Sequence, residues 1–186
     1  MCRIRSMLAV AVVVAFILPW SAFAAMHEVV SPAAKGKDVY WWPVLPAVAG
    51  WKHDEATSRI LRANVLVPVG QVFADAPAVM YAKALSKSRL PMTKSLAQLV
   101  ADDRREFARK VPGVKVADMP AVRTADGKTL LSLEYTPAGK GSWERVAYGE
   151  EGRYFLVFTV SAQNDASLKA ALPAFSRLVS HYQAHP

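Results

Sequence analysis

Three short stretches near the start of the chain's main part have the composition of β-strands, with polar or turn-forming residues between them. The third stretch is also rich in residues that suit a pleated surface. The pattern predicts strands at residues 51–56, 63–67 and 79–84, with a polar turn between the first two.

The spacing of apolar residues then changes to that of an α-helix. Ser95 and Gln98 fit a capping box, in which the two side chains satisfy N–H groups at the start of a helix. Pro112 and Gly113 end the pattern. We therefore expect one helix here. Its apolar face is formed by Leu96, Leu99, Val100, Phe107 and Val111.

The rest of the chain predicts four more strands and a final helix. Asp126-Gly127 is a strong hairpin signal. Asn164 or Asp165 caps the helix, inside which Pro173 should produce a kink or a break. The strands are predicted at residues 114–119, 131–135, 143–148 and 154–160, the last apolar on both faces and therefore central. The helix has its apolar face at Leu168, Leu172, Phe175, Val179 and Tyr182.

Together these elements predict an α+β fold in the order βββ–α–ββββ–α. Strands joined by short turns pair antiparallel, so we expect a largely antiparallel sheet with helices packed on it, an α/β/α sandwich. A chain of this size buries enough surface to fold without disulfides. Residues 50–186 are expected to form a single globular domain.

The N-terminus has the three parts of a secretory signal peptide. Arg3 and Arg5 are basic, an apolar run follows at 7–18, and residues 22–24 are small at the positions that a signal peptidase recognises. The apolar run is too short to span a bilayer, which takes about 20 residues. We expect cleavage after Ala24, so that residues 1–24 are removed and the protein is periplasmic or secreted and does not span the membrane.

Residues 25–49 are expected to form a flexible lead-in, because they begin with small, polar and charged side chains. They contain one aromatic segment, Tyr40, Trp41 and Trp42, outside the strands predicted above. Exposed aromatic side chains mark interfaces, so these three residues are predicted to bind a protein partner. The alternative is that they cover one end of the sheet as ordinary core.

Charge and cysteine content narrow the range of partners. The formal net charge is +8 at pH 7 and falls to +6 when Arg3 and Arg5 leave with the signal peptide. The basic residues are dispersed and do not form the continuous stripe that nucleic acid requires. Another envelope protein, or weak contact with anionic lipid, is the expected partner. Cys2 is the only cysteine and is also removed, so the mature chain has no disulfide and no thiol nucleophile.

The sequence carries no recognisable catalytic motif. Both the Gly-x-Ser-x-Gly elbow and the His-Glu-x-x-His motif are missing, and His53 is expected on a surface strand. Cleavage after Ala24 would leave Ala25-Met26-His27 at the N-terminus. Its amine, two backbone nitrogens and third-position imidazole can bind Cu(II) or Ni(II) in a square plane. Apart from that hypothesis, we expect no metal and no cofactor.

The element order and the C-terminal strand and helix resemble the PsbP-like fold. The strand is RYFLVFTVSA at 153–162 and the helix ends FSRLVSHY at 175–182. This superfamily includes extrinsic subunits of photosystem II, a Ran-binding nuclear import factor and bacterial envelope proteins similar to DcrB. The resemblance covers about residues 50–183 and brings no catalytic motif. By analogy it implies a binding or assembly role, and no photosynthetic one, because the long N-terminal segments of the photosystem subunits are not matched.

The sequence therefore predicts an exported, non-catalytic binding or assembly module of the bacterial envelope. The alternative is an envelope hydrolase or a metal-dependent enzyme whose site is not recognisable in one sequence. The missing nucleophile motifs and ligand pairs favour the binding module. A cleft that holds His53 or His181 beside acidic residues would favour the enzyme.

Overall fold

The computed structural model describes residues 26–33 and 36–183. The predicted signal peptide and Ala25 lie outside the described residues. Within the described part, no helix is both long and apolar enough to cross a membrane. The strands are β1 (Met26–Ala33), β2 (Gly36–Pro43), β3 (Trp51–His53), β4 (Asn64–Pro68), β5 (Ala78–Ser86), β6 (Lys115–Arg123), β7 (Thr129–Thr136), β8 (Trp143–Glu151) and β9 (Tyr154–Ala162). The helices are α1 (Glu55–Leu61), α2 (Leu96–Lys110) and α3 (Asp165–Ser180).

The strands pair antiparallel and form one sheet in the order β1-β2-β5-β9-β8-β7-β6. β3 and β4 form a separate ribbon, and β4 joins β5 on the same edge as β2. β9 is in the middle of the sheet and is buried along most of its length, as its apolar pattern predicted. The predicted α+β class with a largely antiparallel sheet is confirmed.

Helices α2 and α3 pack on opposite faces of this sheet. Alternate residues of β9 belong to different apolar clusters, because successive strand residues point to opposite faces. Phe158 packs in the cluster of Leu178 from α3, whereas Val157 packs in the cluster of α2. Phe107 of α2 stacks on Tyr135 of β7, with ring centroids 4.1 Å apart. The layers are therefore helix, sheet and helix.

Helix α1 was not predicted, and it interrupts the expected strand at residues 51–56. The strand β3 ends at His53 because Asp54 caps a helix, its Oδ1 accepting from the N–H of Thr57 at 3.0 Å. Arg62 ends the helix in the left-handed region, with φ at 52°. Seven residues are too few to show a helical period. The predicted order βββ–α–ββββ–α is wrong at this point.

The N-terminal hairpin also departs from the prediction. Residues 26–33 and 36–43 are paired strands, so the flexible lead-in predicted at 25–49 is wrong for these residues. Val29, Tyr40 and Trp42 bury one another in a small apolar cluster, which gives the hairpin its own core. Burial of these large side chains outweighs the polar character of the residues around them.

Pro173 does not break α3, which runs from Asp165 to Ser180. Pro173 is exposed, while Leu168, Ala171 and Phe175 are buried against the sheet. Packing of that apolar stripe holds the helix together where one backbone hydrogen bond is missing. Of the two predicted effects the break is wrong, and the kink stays a prediction.

Candidate functional site

A cleft lies where one edge of β5 is shared between two ribbons of strands. The β3–β4 ribbon pairs with β5 from Met80 to Ala82, and β2 meets β5 at Ala84. Two ribbons that leave neighbouring points of one strand edge diverge, and a space of about 460 Å³ is left between them, here called the fork cleft. It is lined by His27, Val29, Trp42, Val44, Leu45, Pro46, Ala47, Val48, Trp51, His53, Glu55, Arg59, Asn64 and Leu66.

Polar contacts hold the two ribbons together beside the fork cleft. The buried amide of Asn64 donates from Nδ2 to the carbonyl oxygen of Pro43 at 3.0 Å. Arg62 and Asp38 form a salt bridge at 2.5 Å. The amide bond contributes more to the join, since Arg62 is exposed and surface ion pairs are weak. These contacts fix the distance between the walls.

Trp42 forms the aromatic wall of the fork cleft and is only 5% exposed. The imidazole of His27 stacks on its indole at 6.0 Å between ring centroids, and that of His53 meets it edge-on at 6.2 Å. Tyr40 makes a further edge contact at 5.5 Å. Both Tyr40 and Trp42 lie within β2, so the prediction that they lie outside the strands is wrong. Their burial fits the alternative that they are core.

Trp41 is half-buried, and it packs in a different cluster from its two aromatic neighbours. Its ring lies 5.6 Å from that of Tyr154. The guanidinium groups of Arg89 and Arg153 lie 5.2 and 5.9 Å from the indole, within the range of cation–π contacts. The predicted protein contact stays a prediction. Of the three residues in the aromatic segment, Trp41 alone has a substantially accessible side chain.

Ser58 and His53 have the separation of a nucleophile and its base, 2.9 Å between Oγ and Nε2. Ser58 is fully buried, however, and its Oγ also donates to the carbonyl oxygen of Asp54 at 2.6 Å. The same oxygen accepts from the N–H of Val65 at 2.9 Å. Since the hydroxyl proton points to Asp54, His53 must donate to Ser58 and does not act as its base. The Ser58–His53 pair joins α1 to β3, and the hydrogen bond from Val65 joins α1 to β4.

A second and more polar cavity of about 210 Å³ lies between α2 and the sheet, here called the α2 cavity. Glu144 of β8 lines it, is 9% exposed, and accepts from the hydroxyl of Ser161 at 2.9 Å. Tyr148 donates to Asp103 of α2. The hydroxyl oxygens of Tyr148 and Tyr135 are 3.0 Å apart. A chain of hydrogen bonds therefore runs from β7 through β8 to α2.

Burial raises the pKa values of the acidic groups in the α2 cavity. It raises the pKa of Glu144 to about 7, against a lowering effect of the hydrogen bond from Ser161. Burial also raises the pKa of Asp103, and the hydrogen bond from Tyr148 opposes that shift. The pKa of Tyr135 rises to about 12 for the same reason. At neutral pH Glu144 is therefore close to the midpoint of its titration.

Sequence analysis did not single out the α2 cavity, although its pattern contains a signal. Asp103 is four residues from both Leu99 and Phe107, which places it on the apolar face of α2. Glu144 precedes Val146 by two residues and so lies on the inward face of β8. A polar residue that occupies a position on the apolar face of its element indicates a buried polar group.

No three side chains of the types His, Cys, Asp and Glu are placed to hold a metal ion within residues 26–33 and 36–183. His27 lies on β1 with its ring against Trp42. Ala25, whose amine would complete the predicted Cu(II) or Ni(II) site, is outside the described residues. That site stays a prediction.

Comparisons with known proteins concern the fold. No protein-family model and no curated protein matches the chain. The chain is similar to the crystal structure of PA94 from Pseudomonas aeruginosa, described as a protein of unknown function and a candidate regulator. The match has 14% sequence identity and a TM-score of 0.50, and covers 86% of this chain and 99% of PA94. At this identity the likeness shows a shared fold alone.

Proposed function

We propose that the chain is an exported, non-catalytic binding or assembly module of the bacterial envelope, with a PsbP-like fold. In this proposal the fork cleft holds an apolar segment of another envelope protein. The observation that carries it is the composition of the walls: a cleft of about 460 Å³ lined mainly by aliphatic and indole side chains. That volume lies within the range of ligand-binding clefts.

The polar groups of the fork cleft favour an apolar occupant. Glu55 and Arg59 form a salt bridge with each other at 2.6 Å, so their charges are largely balanced. The amide of Asn64 is engaged with Pro43, and Nε2 of His53 with the buried hydroxyl of Ser58. These polar groups already have partners within the protein. Most of the binding free energy would therefore come from an apolar segment that covers the apolar walls.

Photo-cross-linking from inside the cleft tests the proposal. A photoreactive amino acid at Val44, an exposed wall residue, should capture a discrete envelope protein. The same amino acid at Val69, which is more exposed than Val44 but lies outside the cleft, should not. Mass spectrometry should place the cross-link in an apolar segment of the captured protein. Equal capture from both positions would contradict the proposal.

A pair of variants separates the cleft from other surfaces. Leu45→Asp puts a charge into the apolar cleft and should abolish capture, whereas Val72→Asp, at an exposed position outside it, should not. Circular dichroism checks that both variants fold. If capture survives Leu45→Asp but is lost in Trp41→Ala, the contact lies on the face that carries Trp41.

One observation favours the enzyme alternative: His53 and Glu55 both line the fork cleft. Hydrolysis of chromogenic esters by the wild type, lost in His53→Ala, would support an envelope hydrolase. The engaged hydroxyl of Ser58 argues against a serine nucleophile there.

A further inference from the structure

The α2 cavity is separate from the fork cleft and has a different chemistry. Its walls combine acidic, basic, phenolic and aliphatic side chains. A second opening of about 270 Å³ shares Tyr81, Asp103, Phe107 and Glu144 with it and reaches the surface beside Lys110. A small molecule could therefore enter from solvent at the C-terminal end of α2.

The hydrogen-bonding capacity of Glu144 in this cavity is only partly used. The side chain is nine-tenths buried, and Ser161 donates to its Oε1. Within the part of the chain that the structure describes, Oε2 has no hydrogen-bond donor, and no cation lies within salt-bridge distance. A largely buried carboxylate oxygen without a protein donor is open to a donor from a ligand.

The other charged groups of the cavity are Asp103 and Lys83. Asp103 accepts from Tyr148 and shares the cavity wall with Glu144. The ammonium of Lys83 lies 5.7 Å from the ring centroid of Tyr81 and forms no ion pair among the described residues. The cavity thus presents two carboxyl groups and one ammonium, which lowers the pKa of both carboxyl groups without forming a salt bridge with either among the described residues.

We infer that the α2 cavity binds a small zwitterion, of the class of neutral α-amino acids. The ligand's ammonium would bind Glu144, with Asp103 nearby, and its carboxylate would bind Lys83. Leu99 and Val157 supply an aliphatic wall for a compact side chain. Both charge contacts would form in a partly dry space, where electrostatic interactions are stronger than in water. This inference concerns a different site from the proposed function and does not depend on it.

Binding is tested on the purified protein with the standard α-amino acids as probes. Each is added at millimolar concentration, and a shift of the melting midpoint is recorded. The strongest binder is titrated by calorimetry beside its N-acetyl derivative, which lacks the ammonium, and the related amine, which lacks the carboxylate. Removal of the ammonium or of the carboxylate should each weaken binding roughly tenfold or more. If no amino acid shifts the midpoint, the inference is wrong.

Two variants assign the binding to this cavity. Glu144→Gln should weaken amino-acid binding roughly tenfold or more, whereas Asp75→Asn, which removes an exposed carboxylate outside both sites, should not. Lys83→Met keeps an unbranched side chain and should abolish the preference for the amino acid over the amine. Binding that neither cavity variant changes would place the ligand elsewhere and refute the inference.

Discussion

Replacing Glu144 by Gln should alter stability in a way that depends on pH. The substitution keeps the size of the side chain and an oxygen that can accept from Ser161, while it removes the ionisable group. In the folded protein burial raises the pKa of Glu144 to about 7, from an ordinary value of 4.5. The unfolded chain has the ordinary value, so the two states take up different numbers of protons between these pH values.

The magnitude follows from the size of that shift. Below pH about 4.5 the carboxyl group is protonated in both states, and its ionisation does not reduce the free energy of unfolding. Between about 4.5 and 7 the folded state holds the proton that the unfolded state has lost, so the free energy of unfolding falls as the pH rises. Above about 7 the loss is complete, at about 3 kcal/mol for a shift of this size. Glu144→Gln has no ionisable group at this position, so its free energy of unfolding does not fall for this reason.

Urea denaturation at a series of pH values measures the effect. The variant and the wild type should have similar stabilities near pH 4, and the variant should be more stable by about 3 kcal/mol near pH 8.5. Asp75→Asn, at an exposed position outside the cavity, is the control and should show no such divergence. A constant difference across the series, or a wild type that is the more stable at high pH, would refute the reasoning.

Three further substitutions test the packing and the caps. Gly149→Ala would place a methyl group against Cδ2 of the buried Leu130 and should cost about 1–3 kcal/mol by urea denaturation. Ser58→Ala leaves the N–H of Val65 without its acceptor and should also cost about 1–3 kcal/mol; no loss would mean that another acceptor replaces the hydroxyl. Asn164→Ala removes the cap of α3 and should cost about 1 kcal/mol, seen as a lower melting midpoint by circular dichroism.

Local patterns predicted the elements whose signals are long enough to repeat. The alternation in β7, the apolar run of β9 and the helical stripe of α2 each lie in an element of eight residues or more, and each element formed where expected. α1 has seven residues, so its period never repeats, and only the cap at Asp54 marked it. The hairpin of β1 and β2 was missed because its apolar residues pack against each other between the two strands.

The two sites differ in how far the sequence could reveal them. The α2 cavity leaves a local trace, since Asp103 and Glu144 interrupt apolar faces at the period of their own elements. The fork cleft leaves none. Its walls come from two ribbons that both pair with β5, and the pairing of distant strands has no signature in a local window. Trp42 was recognised in the sequence as part of the aromatic segment, but its burial depends on those strand pairings.

The divided edge of β5 also sets which parts of the molecule can open separately. β9 pairs with β5 along all nine residues, whereas in the described residues β2 meets β5 at the Trp41–Ala84 pair alone. The hairpin should therefore exchange its amide hydrogens faster than the β5–β9 pair, through openings that leave the centre of the sheet folded. Such openings would widen the fork cleft on the side of the hairpin. A long apolar segment could then bind from that side without passing end-first into the cleft.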